Sequence, residues 1–234
     1  PVTNPAEVII AGRYLVQREL GRGGMGRVFA VADLLENRRP RALKLLRTDR
    51  SSPRRDLSES LRGEFAALAH LRHPNLRRVF EFGVDEDGRP FFTMELIEGT
   101  DLFELGGRLE PARIYEVAVG VLRALDFIHA RGYIHHDIKP ENIMLRRGLE
   151  GPDGVVLLDF GLADREEPAP PTFRRTTSGT LACLAPEVLA GAPYDHRADL
   201  YALGVSLYFA ATGAYPFAGD SGEELARQLS LIHI

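Results

Sequence analysis

Tyr133-Ile134-His135-His136-Asp137-Ile138-Lys139-Pro140-Glu141-Asn142 sets two carboxylates, an ammonium, an amide and two imidazoles between apolar flanks. Ahead of it, Pro111 suits a first helical position. Ile114, Val117, Ala118, Val121, Leu122, Leu125 and Ile128 then keep the helical period, and Gly132 stops it. Residues 133–145 read as an irregular loop, and residues 155–158 as a short apolar strand. Asp159-Phe160-Gly161 begins 17 residues beyond Asn142. So much chemistry on a loop held between two apolar elements points to a site.

Farther toward the N-terminus the pattern is strand-like. Residues 14–20 alternate and stop at Gly21, residues 27–32 form a second strand, and the Gly-rich turn between them suggests a hairpin. Residues 41–47 make a third strand, and residues 50–55 a loop with a proline. Leu61, Phe65, Leu68 and Leu71 lie on one face of a helix spanning residues 57–71, which His73-Pro74-Asn75 ends. Residues 78–84 and 90–97 are strands joined by Asp85-Glu86-Asp87-Gly88. After residues 98–100 helix takes over, with further helices at 186–190, 196–211 and 221–229 and a loop at 164–178. A strand-rich front half precedes a helix-rich back half.

Composition narrows the class. With 234 residues, 44% hydrophobic and 26% charged, the chain can bury a core as one large domain or two lobes, which excludes disorder and coiled coil. A balance of 29 basic against 33 acidic residues argues against nucleic-acid binding through bulk charge. The single cysteine, Cys183, excludes an internal disulfide and a Cys-rich zinc site. Residues 1–7 have neither a basic start nor an apolar run, so no signal peptide is expected. Residues 200–219 carry no charge, but Gly204, Gly213, Pro216 and Gly219 interrupt them, and a buried helix is expected there in place of a membrane span.

Only two of the 29 basic residues are Lys, namely Lys44 and Lys139; the rest are Arg. Positions that keep Lys against that bias suit a compact, flexible ammonium that a planar guanidinium cannot imitate. Gly21-Arg22-Gly23-Gly24-Met25-Gly26 fits G-x-G-x-x-G. In a dinucleotide-binding fold a helix would follow at once. Here Arg27-Val28-Phe29-Ala30-Val31 follows, which reads as a strand. A glycine hairpin can lay its backbone N–H groups over phosphates, although taken alone the motif is equally a plain tight turn. Lys44 comes 18 residues after Gly26. An ammonium on a buried strand is costly unless it faces anions, and Glu64 on the next helix could orient it.

In chain order, the glycine hairpin, Lys44, the run from Asp137 to Asn142, Asp159-Phe160-Gly161, Ala185-Pro186-Glu187 and Asp199 resemble the bacterial Ser/Thr protein kinases over residues 13–228. The resemblance implies a two-lobed α+β fold. Residues 13–98 would be an N-lobe with an antiparallel sheet and one helix, and residues 99–228 a mostly helical C-lobe lacking its last helices. Residues 229–234 read as a non-native tail. ATP with Mg2+, or Mn2+ in its place, would sit in the cleft beneath the hairpin. Leu20, Gly21, Gly23, Gly24 and Gly26 would lie over the nucleotide. Lys44 would hold its α- and β-phosphates and pair with Glu64. Val28, Ala42 and Met144 would sandwich the adenine, with Met94 behind it. Glu95 and Ile97 would offer backbone groups to the purine edge, and Asp101 would contact the ribose. Asp137 would accept the proton of the substrate hydroxyl, Lys139 would neutralise the γ-phosphoryl group, and Asn142 and Asp159 would bind the metal through oxygen.

The implied partner is a protein substrate with Ser or Thr, with autophosphorylation at Thr176, Thr177 or Ser178, and the implied location is the cytoplasm. One position departs from the family pattern. His136 stands where kinases switched by activation-loop phosphorylation carry Arg, which predicts a weaker or pH-dependent reliance on a phosphate at Thr176. One other reading stays open, a pseudokinase acting as a nucleotide-responsive scaffold; a dinucleotide-dependent oxidoreductase rests on the glycine motif alone and fails because a strand follows the glycines. Asp199 is expected to brace the loop backbone and His135 to pack beneath the loop. The run Arg38-Arg39-Pro40-Arg41 is expected to be a solvated hairpin tip.

Overall fold

A computed structural model gives the structure, which describes residues 8–23, 26–46, 65, 69–158, 181–217, 225 and 228. The chain divides into two compact units, Pro1–Arg72 with Arg78–Leu96, and His73–Arg77 with Ile97–Ile234. The α+β, two-lobed class read from the sequence is the class observed.

The first unit is built on one antiparallel sheet. Its strands are β1 (Ile9–Ile10), β2 (Tyr14–Gly23), β3 (Gly26–Asp33), β4 (Arg39–Leu46), β5 (Val79–Val84) and β6 (Pro90–Met94), ordered β1-β2-β3-β4-β6-β5. The two-residue period sorts the side chains onto two faces. On one face Tyr14, Phe29, Val31, Leu43, Leu45 and Phe91 form the core. Val31 and Leu43 are fully buried, and truncating such a Leu to Ala costs roughly 2–5 kcal/mol. Register puts Val28 opposite Lys44 and Ala42 opposite Met94, so these four residues share the other face. Arg13 fastens the sheet's end: its guanidinium donates to both carboxylate oxygens of buried Asp33 at 2.7 Å and to Glu81 at 2.8 Å.

In the second unit a 19-residue helix, Pro111–His129, follows the short helix Leu102–Leu105; we call them α2 and α1. Pro111 begins α2 as the sequence suggests, because its missing N–H is an orphan at a helix start anyway. The fully buried Val117, Val121, Ala124 and Ile128 face inward. Gly120 lets α2 approach β9 (Val155–Leu157) closely, since a Cβ there would lie 2.6 Å from the Val155 side chain. β9 pairs with β8 (Ile143–Arg146), and β8 with β7 (Gly99–Asp101). Helices α3 (Pro186–Leu189) and α4 (Arg197–Thr212) follow in the same unit. Asn75 ties its segment into this unit by donating to the carbonyls of Pro152 and Val155 at 2.7 and 2.8 Å.

Several expectations shift. The loop expected over residues 133–145 ends earlier, because Ile143 and Leu145 face inward and pair on both sides as β8. The strand expected over residues 90–97 stops at Met94. Arg41 is not a solvated tip residue: it is buried, donates to Glu36 at 2.6 Å and lies 3.7 Å over the Phe80 ring, while Arg38 and Arg39 are exposed. Of the helix expected over residues 57–71, Phe65 and Ala69 are helical and most of the rest lies outside the described residues. The same holds for residues 221–229, where Leu225 and Gln228 are helical.

Candidate active site

The loop between α2 and β8 is fixed before any catalytic side chain is considered. Asp199, in the first turn of α4, is buried and accepts the backbone N–H of His135 at 2.8 Å and of His136 at 3.0 Å. His129 Nε2, at the end of α2, donates to the same carboxylate at 2.8 Å. Burial alone would raise this carboxyl's pKa, but donation from His129 and the two amides outweighs it and holds it below the usual Asp range. His135 is fully buried. Its Nδ1 accepts the Asp137 N–H at 3.3 Å, so Nε2 carries the proton and donates to the Leu158 carbonyl at 3.0 Å. Burial lowers the His135 pKa, which keeps the ring neutral, as this pairing requires.

On this frame three side chains converge. Lys139 Nζ reaches both carboxylate oxygens of Asp137, at 2.8 and 2.9 Å. Asn142 Nδ2 donates to the Asp137 carbonyl at 2.7 Å and to its Oδ2 at 2.8 Å. Both recorded donations use the amide nitrogen, so the amide oxygen is the atom with which Asn142 can meet a hard cation. The Asn142 carbonyl also accepts the Leu158 N–H at 2.7 Å, which couples the loop to the residue preceding Asp159. Behind the loop, beside Ile138, Cys183 and Ala202, is a cavity of about 40 Å3, far too small for a nucleotide.

The same unit brings Ile97 and Met144 together, packed with Val156 and Leu158. Asp101 lies opposite Met144 in the β7–β8 ladder, but its carboxylate accepts the Glu104 N–H and so caps α1. A ribose contact would have to share that oxygen pair.

The first unit gathers Val28, Ala42, Lys44 and Met94 on one sheet face, with Lys44 Nζ 5.7 Å from the centre of the Phe92 ring. The glycine motif is a hairpin, with Gly21 opposite Val28 and Gly23 opposite Gly26. A register shift at Leu20 breaks the ladder just before it. Two kinds of glycine are present. A Cβ on Gly21 or Gly23 would meet nothing within 4 Å, so that backbone is open to a ligand. A Cβ on Gly26 would lie 2.1 Å from the Leu45 carbonyl, so Gly26 is needed for the hairpin to close on β4. The Glu95 N–H is taken by the Arg78 carbonyl, so a purine edge could meet Glu95 only through its carbonyl. Gly24, Glu64, Asp159, Thr176, Thr177 and Ser178 lie outside the described residues. The sequence did not single out His129 for Asp199, or Tyr194, whose ring meets His136; both contacts join distant segments and leave no local spacing signal.

The family model for the protein kinase domain matches residues 14–233. The chain belongs to the protein kinase family. Among curated relatives, this kinase domain is 40% identical over 219 residues to the serine/threonine-protein kinase pkn3 of Myxococcus xanthus, covering 91% of the chain and 40% of the relative. It is 38% identical to the serine/threonine-protein kinase PknJ of Mycobacterium tuberculosis, covering 96% of the chain and 38% of the relative. It is 39% identical to the DNA damage-responsive serine/threonine-protein kinase RqkA of Deinococcus radiodurans, covering 94% and 33%. The kinase domain thus spans about two fifths or less of the length of these relatives.

Proposed function

We propose that this kinase domain transfers the γ-phosphoryl group of Mg-ATP to Ser or Thr hydroxyls of a protein. The observation that carries the reading is the Asp137–Lys139–Asn142 triangle on a loop locked by Asp199 and His135. Phosphoryl transfer asks little covalent chemistry of the protein; it asks for alignment and charge stabilisation. Asp137 orients the substrate hydroxyl and takes its proton as the oxygen bonds to the γ-phosphorus, while the bond to the β-phosphate oxygen breaks and ADP leaves. Lys139 holds Asp137 in place and balances charge at the transferred group.

Mg2+, or Mn2+ in its stead, supplies charge neutralisation when bound, with Asn142 and Asp159 as its protein ligands. Lys44, oriented by Glu64, meets the α- and β-phosphates, and the backbone of Gly21, Gly23, Gly24 and Gly26 lies over them. Leu20, Val28, Ala42, Met94, Met144 and the backbone of Glu95 and Ile97 receive the adenine, and Asp101 the ribose. Thr176, Thr177 and Ser178 are the candidate autophosphorylation sites. Among the described residues no helix is long and apolar enough to cross a membrane. The need for ATP favours a cytoplasmic location.

The test is transfer of labelled phosphate from ATP, wild type beside Asp137→Asn. Label in the wild type, a loss of at least about a hundredfold in the variant and equal nucleotide binding by both are expected. Nucleotide binding with no label from either protein would make this domain a scaffold.

A further inference from the structure

We propose that Tyr194 is a positioning residue for Asp137, acting through the ring of His136. His136 directly precedes Asp137, and its φ of +65° lies in the left-handed region. A side chain there crowds the following carbonyl, so the conformation has to be held by its surroundings. The turn at His136 separates two directions. The His135 side chain is fully buried, while the Asp137 carboxylate, on the far side of the turn, reaches Lys139 and Asn142.

Hydrogen bonds hold the backbone on both sides of this turn, and at its exit Asn142 Nδ2 donates to the Asp137 carbonyl at 2.7 Å. Asp199 takes the N–H groups of His135 and His136 at 2.8 and 3.0 Å. The Asp137 N–H reaches His135 Nδ1 at 3.3 Å. The second grip is on the His136 side chain, whose ring meets Tyr194 edge-on, with centroids 5.5 Å apart and planes at 90°. Such a T-shaped arrangement places the positive edge of one ring against the negative face of the other. Tyr194 stands in the segment between α3 and α4, five residues before Asp199. Asp199 therefore grips the backbone of His136 and Tyr194 its ring, both from the approach to α4.

This inference rests on the phosphoryl-transfer reading, and its test separates the two. The proteins are wild type, Tyr194→Ala, His136→Gly, the double variant, and Tyr194→Phe; the readouts are kcat and KM for ATP. Glycine enters the left-handed region without help from a side chain. Tyr194→Ala is expected to lower kcat about tenfold while KM for ATP stays within about twofold, and Tyr194→Phe, which keeps the ring, to recover most of that loss. In the His136→Gly background, Tyr194→Ala is expected to change kcat by less than about twofold. An equal loss in both backgrounds, or a loss carried by KM alone, overturns the inference. A wild type that transfers no phosphate overturns the functional reading instead. The same four-protein cycle is then read on denaturant midpoints, where the absence of coupling between positions 136 and 194 overturns the contact itself.

Discussion

Asp199 does no chemistry of its own, yet three donors from two segments end on its carboxylate: His129 Nε2 and the amides of His135 and His136. Replacing it with Ala leaves those groups buried and without their acceptor. Asp199→Ala should destabilise the domain by about 3–5 kcal/mol in urea denaturation, and Asp199→Asn, which keeps one carbonyl oxygen, by distinctly less. If the two variants unfold at the same denaturant concentration as wild type, the brace is not structural. Cys183 shows the opposite kind of residue. It is buried and burial pushes its thiol up to about 12, so it behaves as a small apolar side chain.

Among elements, the β2–β3 hairpin separates folding from binding within a single motif. Gly26 closes against the Leu45 carbonyl at a distance no Cβ could tolerate, and its φ of +153° is itself one that favours glycine. Gly23 faces open space. Gly26→Ala should therefore lower the denaturation midpoint, with a cost of about 1–3 kcal/mol from overpacking. Gly23→Ala should leave the midpoint within about 0.5 kcal/mol of wild type and instead weaken ATP binding, read by nucleotide titration. A reversed pattern would mean that the hairpin's open face is not where phosphates lie. Most of helix α4 was legible as an apolar helix, because residues 200–211 carry no charge. The extent of β8 was not, because Ile143-Met144-Leu145 is an apolar run of only three residues until β7 and β9 flank it.

Among the described residues, four buried or half-buried groups tie stability to falling pH. His135 is buried neutral, with its pKa lowered by burial. As pH falls below about 6.5 the unfolded chain takes up that proton and the folded chain does not, so stability falls. His73 acts in the same direction, through burial and then the nearby Arg123 and Arg131. Asp33, bonded to Arg13, and Asp199 have lowered pKa values, so their contribution is present above the ordinary Asp range and is lost as pH drops below about 4. The melting temperature should decline gently from pH 7 to 5 and steeply below 4. His135→Asn should flatten the first decline, and an unchanged slope would show that His135 is not the titrating group.

How much of this molecule could be read in advance depends on sequence separation. The catalytic loop was legible because Asp137, Lys139 and Asn142 sit within six residues, and local spacing dictates their meeting. The grouping of Val28, Ala42 and Met94 came from the family resemblance, and the strand register is what sets them on one face. Arg13 with Asp33 and Glu81, Asn75 with Pro152 and Val155, and His129 with Asp199 lie 20 to 80 residues apart, and nothing local announces them.

Asn75 carries one more consequence. The backbone leaves its first unit at Arg72, spends five residues in the second, and returns at Arg78 before crossing again after Leu96. Scission between Leu96 and Ile97 would therefore not release two self-contained halves. The C-terminal product would forfeit the plug that Asn75 makes for the Pro152 and Val155 carbonyls, together with the Leu76 pairing to Leu157. Anyone wishing to prepare the larger unit by itself would have to graft that pentapeptide back onto it.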